Sequence, residues 1–155
     1  MNEEVFSKAL NSAFRSLARR AHSKQEIETK LGNKDFPADI VAQVIAKLEK
    51  LEYLNDDLFA QRWATFKATG SLWSDIRIEC ALLRKGVDKA VIKQALTHAR
   101  LEVSEEVAIG SVLNKKLKGR NLGDINNTEK LKIARLLITR GFTYSTIQKV
   151  LMIRW

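Results

Sequence analysis

The chain is predicted to be all-α, built as three tandem three-helix repeats. Apolar residues recur at helical rather than alternating spacing, and 155 residues hold only one proline and seven glycines, too few breakers for a succession of short strands. A helix–corner–helix pattern also returns three times, the signature of a repeat architecture. In the central copy, Ser74 stands as an N-cap, Ile78, Leu82 and Leu83 share a helical face, and Gly86 occupies the left-handed position that ends a helix. Shifting back by 51 residues pairs Ser23 with Ser74, Ile27 with Ile78, Leu31 with Leu82 and Phe36 with Val87. Shifting forward by 55 pairs Ile133 with Ile78, Leu137 with Leu82, Gly141 with Gly86 and Phe142 with Val87. The expected units are residues 1–54, 55–100 and 101–155.

Each corner follows one physical rule. An apolar residue precedes the second helix and another lies five positions on, as Phe36 with Val41, Val87 with Ile92 and Phe142 with Ile147, the spacing of a hydrophobic staple that fixes the angle of the outgoing helix. Asp88 and Thr143 are caps between the staple partners, whereas Pro37 presets φ without capping. Asp35 replaces the turn glycine, and aspartate tolerates the left-handed region better than most residues. The first corner is therefore expected to be the least regular.

In chain order, residues 4 to 20 are expected to form a helix with an apolar stripe of Val5, Phe6, Ala9, Leu10, Ala13, Phe14 and Leu17 and a basic end at Arg15, Arg19 and Arg20. Ser23 and Glu26 have capping-box spacing at the start of the next helix, and His22 is read as a turn or packing residue. Residues 38 to 51 make the third helix, on Ile40, Val41, Val44, Ile45, Leu48 and Leu51. Asn55 or Asp56 caps a helix carrying Leu58, Phe59, Trp63 and Phe66, and Trp63 is assigned to core packing because it shares that stripe. Residues 70–73 connect it to the central cassette. Val103, Val107, Ile109, Val112, Leu113 and Leu117 open the third unit. Lys115-Lys116-Leu117-Lys118-Gly119-Arg120-Asn121 is then a basic run that ends in a loop, Thr128 caps Glu129 to Arg140, and Tyr144 to Met152 closes the chain.

Composition bounds the function. Hydrophobic residues at 45% and charged residues at 29% describe a folding chain. No apolar run approaches the roughly 20 residues of a membrane span, and the start Met1-Asn2-Glu3-Glu4 lacks the features of a signal peptide. The single Cys80 excludes an internal disulfide and fits a reducing compartment, so the cytoplasm is expected. With only His22, His98 and Cys80 as soft ligands, no metal or other cofactor is expected. No phosphate-binding glycine loop, nucleophile elbow or recognisable carboxylate pair is present, which points to binding rather than catalysis. The net charge is +9, with nine basic against eight acidic residues in 1–54, eight against five in 55–100 and ten against five in 101–155. Such an excess suits a polyanion partner.

The Gly141 corner also resembles a helix-turn-helix, in which Thr143, Tyr144, Ser145, Gln148 and Lys149 would face base edges. A sequence-selective DNA-binding regulator is accordingly the alternative reading, although three copies with different exposed residues are explained more simply by a structural repeat.

Residues 17–27 (LARRAHSKQEI), 51–60 (LEYLNDDLFA) and 84–88 (RKGVD), with 129–133 (EKLKI) and 140–142 (RGF), together resemble RecX, the family of regulators of the RecA recombinase. The likeness runs over nearly the whole chain. It departs at residues 67–73, where the family usually has a basic, glycine-containing approach, and at Phe36-Pro37. The resemblance implies an elongated, curved stack of three-helix units lying along the groove of the RecA filament on single-stranded DNA. It further implies that binding limits filament growth or stability, lowering ATP hydrolysis, strand exchange and the co-protease activity of the SOS response in DNA repair and recombination. Weak, non-specific DNA binding and a monomeric state are expected alongside. The expected pool of filament and DNA contacts is Arg15, Arg19, Arg20, Arg62, Lys67, Arg77, Arg84 and Lys85, with Lys115, Lys116, Lys118, Arg120, Lys132 and Arg135.

Overall fold

The computed structural model describes residues 2–153, so the outer ends of the first and third expected units, at Met1 and Trp155, lie outside the described residues. Nine α-helices and no strand occur among them. They are α1 (Asn2–Leu17), α2 (Lys24–Gly32), α3 (Ala38–Lys50), α4 (Asp56–Thr69), α5 (Asp75–Arg84), α6 (Lys89–Glu102), α7 (Glu105–Leu117), α8 (Asn127–Thr139) and α9 (Tyr144–Leu151), with a short 3-10 turn at Leu122–Asp124.

Extensive helix–helix packing falls inside the triplets α1–α3, α4–α6 and α7–α9, and each has its own core. Ala9, Ala13, Ile27, Leu31, Val44 and Leu48 centre the first. In the second, Ala60, Ala64 and Ala68 of α4 meet Ala95 and Ala99 of α6 around Ile78, Leu82 and Ile92. Small residues one turn apart let these two helices approach closely, and theirs is the most extensive contact of the fold. The third core gathers Ala108, Ile109, Val112, Ile133, Leu137, Phe142, Ile147 and Leu151.

The corners follow the expected chemistry. Asp35, Gly86 and Gly141 all sit at positive φ, at 59°, 73° and 89°. The N–H groups of Phe36, Val87 and Phe142 return to the carbonyls of Leu31, Leu82 and Leu137, at 3.4, 3.2 and 3.2 Å. The first corner thus keeps the same backbone as the others, and its difference is confined to Pro37, which makes no side-chain cap. Asp88 accepts from Ala90 N–H and Thr143 from Thr146 N–H. Ser23 and Glu26 form the expected capping box.

Several expectations are corrected. The first helix ends at Leu17, leaving Arg19 and Arg20 in the turn that follows. Val103 terminates α6 and packs against the second core, while Val107 is exposed, because Ser104 caps α7 only after the chain has left the second unit. Asn126 rather than Thr128 caps α8, its side chain accepting from Glu129 N–H. Leu51 and Leu83 are exposed, as are Leu58 and Phe66 of α4. Phe59 and three alanines carry the burial of that helix, so Leu58 and Phe66 are displaced to the flank of the core.

Candidate functional site

The site is positioned by two joints with one design. At the first, Ser23 caps α2 and its hydroxyl also donates to the carbonyl of Lys85, at the end of α5, at 2.6 Å. Gly86 lies against α2, where an added Cβ would run into the Gln25 side chain. Lys24 N–H donates to Asp56 Oδ1 of α4 at 2.9 Å. The second joint repeats this 51 residues on. Ser74 N–H donates to the carbonyl of Arg140, at the end of α8, at 2.9 Å. Gly141 lies against α5, where a Cβ would stand 2.5 Å from Ser74 Oγ and 2.6 Å from Arg77 Cβ. Asp75 N–H donates to Glu105 Oε1 of α7 at 2.7 Å. In both, the start of one unit's second helix receives the corner of the next unit and the first turn of its leading helix.

The two joints are closed differently. In the first, Glu26 accepts from Lys85 at 2.7 Å, from Arg20 at 3.1 Å and from Ser23 N–H at 3.1 Å. Burial works to raise the Glu26 pKa, but these donors outweigh it and hold the carboxyl at about 2. The second is closed by an apolar latch, with Leu72 of the α4–α5 loop buried in the third unit's core and the Arg140 guanidinium donating to the carbonyl of Ser71. Arg100 braces the same joint, donating to Asp75 Oδ1 at 2.6 Å and to the carbonyl of Trp73 at 2.8 Å.

On this frame three groups of cations assemble. A hollow of about 390 Å³ opens beside the first joint, lined by Arg20, His22, Glu52, Tyr53, Leu58, Phe59, Arg62, Trp63 and Phe66 among others. A belt runs on from Trp63, which meets Trp73 edge-to-face at 5.9 Å. Lys67 lies 5.4 Å from the Trp63 ring and 4.6 Å from that of Trp73, Arg77 stacks on Trp73 at 3.9 Å, and Lys85 lies 5.7 Å from Trp63. Cations held on ring faces keep their charge outward while their stems cover apolar surface. In the third unit, Lys116, Arg120 and Lys132 surround a hollow of about 300 Å³ floored by Leu117, Ile125, Ile133 and Leu136. Arg120 is paired there with Glu129 at 2.9 Å.

The structure therefore brings together eight of the expected contact residues in three groups. Arg15, Arg19, Arg84, Lys115, Lys118 and Arg135 stand exposed outside them. Trp63 is half-buried, both core residue and part of the belt. Tyr53 and Phe66, missed as surface residues, are 57% and 64% exposed. The alanine stripe at 60, 64 and 68 is the signal that would have found Phe66, since it takes the buried face. The residues considered for a helix-turn-helix, Thr143, Tyr144, Ser145, Gln148 and Lys149, are exposed, while the corner before them is packed into the second joint. Among the described residues, no helix is long and apolar enough to cross a membrane.

Comparison with known proteins gives a consistent result. Residues 9–48 match the family model described as RecX, first three-helix domain, and residues 55–96 match RecX, second three-helix domain. Regulatory protein RecX of Chlorobaculum tepidum is 32% identical over 149 residues, covering 96% of this chain and 89% of its own. Its counterpart in Mycolicibacterium smegmatis is 27% identical, covering 94% and 78%. The crystal structure of RecX from Lactobacillus salivarius superposes with a TM-score of 0.74 at 26% identity, covering 97% of this chain and 96% of that one.

Proposed function

The chain belongs to the RecX family of regulatory proteins, and we propose that it is a negative modulator of a RecA recombinase. In this reading it lies in the groove of the RecA filament on single-stranded DNA and limits filament growth or stability, thereby lowering ATP hydrolysis, strand exchange and co-protease activity. The observation that supports it most is the distribution of basic side chains over successive units of a jointed stack. An extended array of this kind suits contact with several protomers of a polymer at once. Arg62, Lys67 and Arg77 in the second unit, with Lys116, Arg120 and Lys132 in the third, are proposed as the principal contacts. Arg20 and Lys85 serve the first joint as well, through Glu26.

The deciding experiment is ATP hydrolysis by the cognate recombinase on single-stranded DNA with this protein titrated from far below stoichiometric to equimolar. Inhibition is expected; below one copy per protomer it indicates capping or disassembly, and near saturation it indicates occupancy along the groove. No inhibition at any ratio sinks the proposal.

A further inference from the structure

The hollow beside the first joint has a chemistry that the filament reading does not use. Its edges are flat rings. Phe66 is 64% exposed and Tyr53 57% exposed, and Tyr53 is held edge-to-face against Phe14 at 5.1 Å, so the rings are presented rather than folded away. Arg20 and Arg62 add positive charge. The wall carries an acceptor in the Glu52 carboxylate. His22 is only 4% exposed; its Nδ1–H donates to the carbonyl of Arg20 at 2.9 Å, and its Nε2 is buried out of reach of an occupant, so this ring shapes the wall.

We infer that this hollow receives one unstacked base of a single-stranded nucleic acid, with the flanking phosphates on Arg20 and Arg62. Exposed rings accept the π-face of any base, and base–aromatic stacking is a principal source of single-strand affinity. The Glu52 carboxylate suits the N–H groups of a base edge. An acidic peptide could pair with the same arginines, but it offers the exposed rings a π-face only where it carries an aromatic side chain, whereas every nucleotide carries one. Duplex DNA is excluded, since its bases are already stacked and paired. The inference requires no recombinase and is independent of the filament reading.

The test uses the full-length protein alone and its tryptophan fluorescence, since Trp63 lines the hollow. Oligodeoxycytidylate, whose base carries an amine, is compared with an abasic deoxyribose-phosphate oligomer of the same length. The cytidylate is expected to bind at least about tenfold tighter, and Phe66→Ala to remove that difference while leaving abasic binding unchanged. Phe66 is exposed, so the helical circular dichroism of the variant should match the parent. Arg62→Gln, which leaves the rings in place, should weaken both oligomers alike. Equal affinity of the unmodified protein for the two oligomers would overturn the inference, as would a base-dependent difference that persists in Phe66→Ala. Phe66-dependent binding of an acidic aromatic peptide with no base-dependent binding would also overturn it, and would assign the hollow to a protein partner.

Discussion

Gly86 and Gly141 are constrained twice. Each holds a positive φ, and each presses its missing Cβ against the preceding unit, so any side chain there meets both backbone strain and a neighbouring helix. At Gly141 the obstruction is Ser74 Oγ with the Cβ and backbone of Arg77, and at Gly86 it is Gln25, whose Cβ would stand 2.6 Å away. Gly141→Ala and Gly86→Ala are therefore each expected to cost about 1–3 kcal/mol. Asp35, at φ 59°, is exposed, so Asp35→Gly should be neutral or stabilising by up to about 1 kcal/mol. Urea denaturation of the three variants would rank them. The aspartate's left-handed conformation was legible from its register. The reason it can differ was not, because that depends on what packs across the corner.

Between elements, the distinctive contact of each joint should respond differently to pH. The Glu26 carboxyl titrates at about 2 in the fold against an ordinary 4.5. A depressed carboxylate stabilises fully above its unfolded pKa, and that contribution disappears as pH falls through the folded value, here between about pH 4.5 and 2. Glu26→Gln should accordingly lower stability at pH 7 and flatten the acid limb in that window, read by denaturation at a series of pH values. The second joint adds apolar burial to its Arg100–Asp75 pair, and the loss on Leu72→Ala should be about 2–3 kcal/mol in the same assay, with little dependence on pH. Staples, caps and the helical period made the corners readable in advance. The α4 stripe misled because large apolar residues were weighed above alanine, and the close approach of α4 and α6 reverses that weighting.

For the whole molecule, charge is graded from the first unit to the third, and the pool of basic side chains could be read directly from composition. Its division into groups could not. Lys67 and Arg77 are ten residues apart yet share the ring of Trp73, and Arg20 of the first unit lines one hollow with Arg62 of the second because the first joint brings the two units together. Reversing the charge of Lys116, Arg120 and Lys132 together should weaken binding to recombinase–DNA filaments at physiological salt more than reversing Arg15, Arg19 and Arg135, by about tenfold or more in a co-sedimentation assay. Equal losses would show that total charge alone matters.

The joint also gives the stack a direction. Each unit receives its successor at the start of its second helix and presents its own corner to its predecessor, so the first unit turns a seat towards the second while the third turns a corner towards it. The array therefore has a head and a tail, and on any polymer that itself runs one way the two orientations in which the protein could be laid down are chemically different.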